Sequence, residues 1–113
     1  MSPLPSAVAI SAAAPIFAAL GDPTRLRLVA RLVAEGPISI TRLSEGAEVT
    51  RQAITKHLRT LASAGLARDR KQGREQLWEL QPRSLVEVRQ YLELVSAQWD
   101  RALKRLRIQV EGD

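Results

Sequence analysis

Apolar and polar positions alternate along the chain in five helical stretches and one pair of strands. From Ser6 to Leu20 an alanine-rich run, with Ile10, Phe17 and Leu20 as its larger apolar groups, predicts a first helix. Pro15 inside it predicts a kink or a split, because proline removes one amide and crowds the preceding turn. Gly21 ends that run, and residues 1–5 before it are expected to fray. Asp22-Pro23 then supplies an N-cap and a proline at the first helical position, where its missing amide costs nothing. The second helix should reach Glu35, with Leu26, Val29 (or Ala30) and Val33 facing one way and Leu28 and Leu32 widening the stripe. Arg25, Arg27 and Arg31 lie outside it or at its edge, and Gly36-Pro37 breaks the helix. Ile38 reads as a short extended link, a candidate first strand of a small sheet. Ser39 caps a third helix of two turns, with Ile40 and Leu43 inward and Glu45 near its end, and 46–49 form a turn.

The next stretch, TRQAITKHLRTLASAG from Thr50 to Gly65, has the sharpest pattern. Thr50 is a good N-cap, and Gly65 suits a left-handed stop. Ile54, Leu58 and Leu61 form one apolar stripe, while Gln52, Thr55, Lys56 and Arg59 recur on another face with Arg51 beside them. That outer face offers donors and positive charge and carries no carboxylate. A short helix, a glycine-containing turn and this helix make a helix-turn-helix, and the second helix can enter a DNA major groove.

After Gly65, residues 66–70 and 75–80 alternate well enough for two strands joined by Lys71-Gln72-Gly73-Arg74, a hairpin with a basic tip. Trp78 sits mid-strand beside Leu77 and Leu80, which favours packing under the hairpin over base stacking. Pro82 opens a last helix to about Gln109. Leu85, Leu92, Trp99 and Leu106 repeat in one heptad register, Val88, Val95 and Ala102 in the other, with Tyr91, Leu94 and Leu103 broadening the stripe. At ~1.5 Å per residue this helix is ~40 Å long, more than so small a domain covers. An uncovered stripe of that kind is an unusual patch on a monomer, so a second copy of the chain is its simplest cover. Intramolecular packing against the alanine-rich first helix is compatible with it.

Charge sharpens this picture. Between Thr50 and Arg74 seven basic residues stand against Asp69 alone, a local +6 in a chain whose 17 basic and 12 acidic residues net +5. The rest of the chain is therefore −1, and the positive charge is concentrated as in a nucleic-acid footprint. A solvated basic face without a ligand is the competing reading. The 113 residues suit one domain, and 45% hydrophobic content is globular. The absence of cysteine excludes disulfides, thiolate metal sites and cysteine redox sensing. A single histidine excludes a zinc site built from imidazoles of one chain. The apolar N-terminus lacks the positive n-region of a secretory signal, its first basic residue being Arg25. No apolar run approaches the ~18 residues of a membrane span. A cytoplasmic protein with no membrane contact is expected.

Three segments carry a family resemblance: FAALGDPTRLRLV (Phe17–Val29), TRQAITKHLRTLASAGL (Thr50–Leu66) and RDRKQGREQLWEL (Arg68–Leu80). In this order and spacing the chain resembles the ArsR/SmtB winged helix-turn-helix regulators over nearly its whole length. The resemblance implies a mainly α fold with a small β-hairpin wing, dimeric through the first and last helices. It implies a single domain over 1–113, with the helix-turn-helix at 39–65, the wing at 66–80 and the dimerisation helix at 82–109. Dimer contacts would come from Phe17, Leu85, Val88, Leu92, Val95, Trp99 and Leu106. The family's base-facing positions fall on Arg51, Gln52, Thr55 and Lys56. Thr50 and Arg59 would touch phosphate, and Arg70, Lys71 and Arg74 would meet the backbone or minor groove from the wing. His57 stands where the family often has histidine, open between phosphate contact and packing beside Leu58.

The departures bear on what is sensed. Ser39 and Thr41 stand where many members carry a cysteine pair, and hydroxyls bind soft metals poorly. The last helix has Glu87, Glu93 and Asp100 but no histidine, so a transition-metal site there is not expected. Trp99-Asp100 resembles an aromatic–acid pair of a metal-free subgroup. The expectation is a homodimeric repressor of a palindromic operator in double-stranded DNA, of the type that does not sense metal, with no cofactor. Its effector, a small molecule or a protein if there is one, is not identified by the sequence. A small molecule would find room between the first and last helices, where Phe17, Tyr91 and Trp99 gather, although aromatic core is the plainer reading of those residues. A protein-interaction module on a winged helix is the alternative, disfavoured by the local +6. No nucleophile–base pair, metal cluster or phosphate-cradling glycine loop points to an enzyme.

Overall fold

The computed structural model describes residues 7–112, so the expected fraying of 1–5 lies outside the described residues. In chain order the elements are α1 (Ala7–Leu20), α2 (Pro23–Glu35), β1 (Ile38–Ser39), α3 (Ile40–Ser44), α4 (Arg51–Ser63), β2 (Ala67–Gln72), β3 (Glu75–Leu80) and α5 (Pro82–Glu111). Pro15 does not split α1, which continues through it. The carbonyl left without its helical donor is that of Ser11, on the exposed side where water can serve it.

Asp22 caps α2 through Oδ2, which accepts from the Arg25 amide at 3.0 Å. Gly36 closes the helix at φ 72°, its amide donating to the Leu32 carbonyl. The buried row of α2 is Leu28 and Leu32, whereas Leu26 and Val33 are 51% and 65% exposed. The stripe expected along 26, 29 and 33 is thus displaced toward 28 and 32. Both rows have helical spacing, and the row that packs on α4 and β3 is the one the core selects.

Helix α4 is the centre of the core. Ile54, Leu58 and Leu61 are all within 1% of complete burial, and α1, α2, α3 and β2 pack around them. Thr50 Oγ1 accepts from the Ala53 amide at 3.1 Å and starts the helix. Gly65, at φ 81°, ends it, with the Leu66 amide reaching back to the Leu61 carbonyl at 2.9 Å.

The small sheet is antiparallel in the order β1-β3-β2, with Ile38 opposite Trp78 and Gln72 opposite Glu75. The strands reach further toward the tip than alternation predicts, leaving Gly73-Arg74 as a two-residue turn. Gly73 takes φ 65° at its first central position, as a type II′ turn requires. Lys71 is therefore a strand residue. Trp78 is buried under the hairpin at 4% exposure.

Helix α5 is fastened at its start. The Ser84 hydroxyl donates to the Gly65 carbonyl, and the Gln81 amide donates to the Leu66 carbonyl at 2.9 Å. Val88 packs on the core, and Tyr91 meets Phe17 with ring centroids 5.6 Å apart. Trp99 does not join them and is 66% exposed, because it lies on a different face of α5 from Tyr91. Leu85, Leu92, Trp99 and Leu106 form a row beside the one its own domain uses, and all four are exposed. The Cα radius of gyration is 18.4 Å, against about 13 Å for a compact domain of roughly this length. The excess is the projecting end of α5.

Replacing Gly65 by alanine should destabilise the fold by about 1–2 kcal/mol, the cost of a Cβ in a left-handed residue. That Cβ would also lie 3.2 Å from Ser84 Oγ. Leu58→Ala should cost ~2–5 kcal/mol. Urea unfolding measures both, and an unchanged midpoint for Gly65→Ala would contradict the role given to this cap.

Candidate nucleic-acid interface

Burial of Ile54, Leu58 and Leu61 turns the opposite side of α4 outward. Arg51, Gln52, Lys56 and Arg59 are exposed there, and Thr55 is half-buried. Thr55 Oγ1 donates to the Arg51 carbonyl at 3.0 Å, which holds its hydroxyl against the helix with lone pairs still able to accept. Thr50 is spent as the cap, though it remains exposed at the end of α4. The four residues expected to read bases thus share one surface.

Between this surface and the wing runs a cleft of about 770 Å³, lined by Arg51, Thr55, Arg74, Gln76 and, from α3, Thr41 and Arg42. Trp78 forms part of its wall, and Glu45 and Glu75 also line it. The sequence does not single out Arg42, because the run of unopposed positive charge begins only at the recognition helix. The available signal was a cation three residues after the Ser39 cap, on the short helix that precedes it. Its guanidinium pairs with Glu35 at 3.0 Å.

The wing divides its cations between two faces. Arg68 and Arg70 both contact Glu79 Oε1, at 3.0 and 3.2 Å, on one face. Lys71, one residue on, lies opposite Gln76 on the other face, and Arg74 stands in the tip turn. Arg70 is therefore held to its own sheet, whereas Lys71 and Arg74 make no ion pair among the described residues.

His57 turns inward from the flank of α4. Its Nδ1 lies 3.2 Å from Arg25 Nη1 and 4.0 Å from Asp22 Oδ2. A guanidinium can only donate, so Nδ1 accepts from Arg25. Arg25 Nε in turn donates to the Ala19 carbonyl at 2.6 Å, joining the end of α1 to the recognition helix. The ring thus adds a polar tie between α2 and α4 to its packing on the helix flank. The Arg25 amide, its side-chain charge and His57 together hold the Asp22 carboxyl below its ordinary 3.8 against a partial opposing effect of desolvation, the amide bond being the largest cause. Glu35 is lowered from 4.5, first by its hydrogen bond from Arg31 and then by the charges of Arg31 and Arg42, again against desolvation.

A helix-turn-helix with an outward donor face and an adjoining basic wing defines a winged-helix DNA-binding protein. The comparisons agree. Residues 20–70 match the family model described as a helix-turn-helix domain. The HTH-type transcriptional regulator Rv2034 of Mycobacterium tuberculosis is 38% identical over 85 residues, covering 75% of this chain and 76% of that protein. The solved structure of an ArsR-like transcriptional regulator from Rhodococcus sp. RHA1 is 32% identical with a TM-score of 0.77, covering 96% of this chain and 98% of that one. The homodimeric winged helix-turn-helix domain of Mb0332 from Mycobacterium bovis shares the fold at 22% identity, TM-score 0.63, covering 88% of each chain. The chain belongs to the ArsR family of winged helix-turn-helix transcriptional regulators.

Both lowered carboxyls give the same pH dependence. A carboxyl whose folded value lies below its unfolded value stabilises the fold above the unfolded value and loses that contribution as pH falls through the folded one. Stability from Asp22 and Glu35 should therefore be fully present at neutral pH and decline below 3.8 and 4.5 respectively. Urea midpoints of the wild type and of Asp22→Asn/Glu35→Gln should diverge at neutral pH and converge in acid. Parallel curves would remove these two groups from the acid response.

Proposed function

We propose that this regulator is a homodimeric, operator-specific repressor that does not respond to metal. The observation that carries the reading is the outward face of α4, where Arg51, Gln52, Thr55 and Lys56 lie together with no carboxylate among them. On this reading the single domain spans 1–113, α4 enters the major groove, and Gln52 bonds an adenine while Arg51 or Lys56 bonds a guanine. Thr50, Arg59, Arg70, Lys71 and Arg74 meet the backbone, with Arg70 exchanging Glu79 for phosphate. Arg42 is added to them by its place in the cleft.

The exposed row Leu85, Leu92, Trp99 and Leu106 supports dimerisation through α5, with Phe17, Val88 and Val95 bracing it from their half-buried positions. The Mycobacterium bovis domain offers a dimeric precedent for the fold. Two recognition helices related by a two-fold would read half-sites ~34–36 Å apart in a palindrome. Against metal sensing stands the use of Ser39 itself, whose Oγ accepts from the Arg42 amide at 3.2 Å as the cap of α3. The alternative, a protein-interaction module that leaves operators alone, makes no use of the basic face.

Selection of bound duplexes from a random pool, followed by titration at several salt concentrations, tests the reading. A palindrome with a steep salt slope is expected, about 0.9 per phosphate contact on a log–log scale. Weak binding with no consensus would favour the interaction module. Gln52→Ala should cost ~1–3 kcal/mol of discrimination at one base pair per half-site. Lys71→Ala should weaken all sequences alike and lower the salt slope by about 1 per protomer. Equal, uniform losses from both would refute the division between base readers and phosphate contacts. Trp99→Glu should yield monomers by sedimentation, and a wild-type dimer mass in that variant would move the interface elsewhere.

A further inference from the structure

Between α1 and α5 lies a second cleft of about 230 Å³, remote from the outward face of α4. Ala12, Ala13 and Ile16 form one wall, and Val88, Tyr91 and Leu94 the other. Its lining is mostly apolar, and the single ionisable carboxyl in it is Glu87, with Gln90 beside it. Glu87 pairs with Arg83 at 3.4 Å, but both side chains are largely exposed, so that pair is weak and exchangeable. An apolar cavity of roughly 150 Å³ holds a benzene ring, so this one has room for a ring with a short side chain. A carboxylate and a tyrosine ring at the same cavity favour a cation.

The wall formed by α1 is tied to the recognition helix. Ile16 and Ala19 belong to the core around α4, and Arg25 Nε is bonded to the Ala19 carbonyl. The same guanidinium reaches His57 on α4 through Nη1. A ligand that parts α1 from α5 shifts the Ala19 carbonyl, and Arg25 carries that shift to the flank of α4.

We propose that the α1–α5 cleft is an effector site for a small aromatic amine, its ring between the two helices and its ammonium at Glu87, and that Arg25 relays occupancy to the recognition helix. The relay rests on the DNA-binding reading above, whereas the site does not. Calorimetry on the full chain with phenethylamine, and with phenylacetate as the same shape of opposite charge, tests the site without DNA. Saturable binding of phenethylamine is expected, about tenfold or more tighter than phenylacetate, the effect of one charge-assisted contact. Glu87→Gln should remove that preference. Ala12→Leu, at an exposed helical position that tolerates leucine, should fill the cleft and abolish binding.

Three results would overturn the site: no saturable binding, binding unchanged in Ala12→Leu, or phenylacetate bound as tightly as phenethylamine. The first is also the result if a partner protomer fills the cleft in the dimer. For the relay, phenethylamine should lower affinity for duplex DNA several-fold in the wild type. Arg25→Lys should bind the amine as before yet lose that response, because lysine cannot span Ala19 and His57 as the guanidinium does. An undiminished response in Arg25→Lys would overturn the relay and leave the site standing. A protein that takes up the amine but never binds DNA would instead refute the regulator reading.

Discussion

The structure depends on burying one side of one helix. Ile54, Leu58 and Leu61 reach nearly zero exposure because elements that precede and follow α4 in the chain, α1, α2, α3 and β2, converge on them. Each such side chain contributes roughly 1.5–3 kcal/mol when fully removed from water, so these three anchor much of a small domain's margin. The consequence for function is geometric. A helix held on one side by close-packed leucines has no freedom to rotate, and its outer residues are fixed in direction without any contact of their own. Arg51, Gln52 and Lys56 need no partner in the free protein to be aimed outward.

Charge is distributed by the same division. Away from the outward residues of α4, charged groups are engaged within the domain: Arg31 pairs with Glu35, Asp22 caps α2 through the Arg25 amide, and the Arg25 guanidinium bonds the Ala19 carbonyl. The outer face of α4 has no acid to pair with, and its field is left for a ligand. On the wing the two uses meet within seven residues. Arg68 and Arg70 share Glu79, whereas Lys71 and Arg74 fall on the opposite face and the tip.

Much of this was legible in the sequence, for reasons that particular residues make plain. The caps at Asp22, Ser39 and Thr50 act through one side-chain oxygen and one nearby amide, so sequence suffices to place them. The inner and outer faces of α4 were legible because only one of its rows is apolar. Helix α2 was harder, since Leu26 and Val33 keep the same spacing as Leu28 and Leu32, and only the position of α4 and β3 decides between them. The tip of the wing was read two residues too long because polar strand residues such as Lys71 and Gln72 carry no alternation. Arg42 and His57 escaped for another reason: each is positioned by contacts distant in sequence, to Glu35 and to Arg25, which no local pattern encodes.

The attachment of α5 explains how one chain can couple association to DNA geometry. Its first turn is bonded to the end of α4 twice, Ser84 to the Gly65 carbonyl and Gln81 to that of Leu66. Gly65 is left-handed where its carbonyl meets Ser84, a conformation only glycine adopts without strain, so this residue joins the packing of Val88 and Tyr91 in fixing α5 on the domain. In the proposed dimer, α5 fixes the two-fold axis and α4 reads the groove. A rigid joint between them converts the packing of the Leu85–Leu92–Trp99–Leu106 row into the separation of two recognition helices. A flexible joint would let each helix find its groove independently, and the spacing between half-sites would carry little information. In the proposed dimer, the short path from Leu61 through Gly65 to Ser84 is therefore where stability and half-site spacing would meet in one physical constraint.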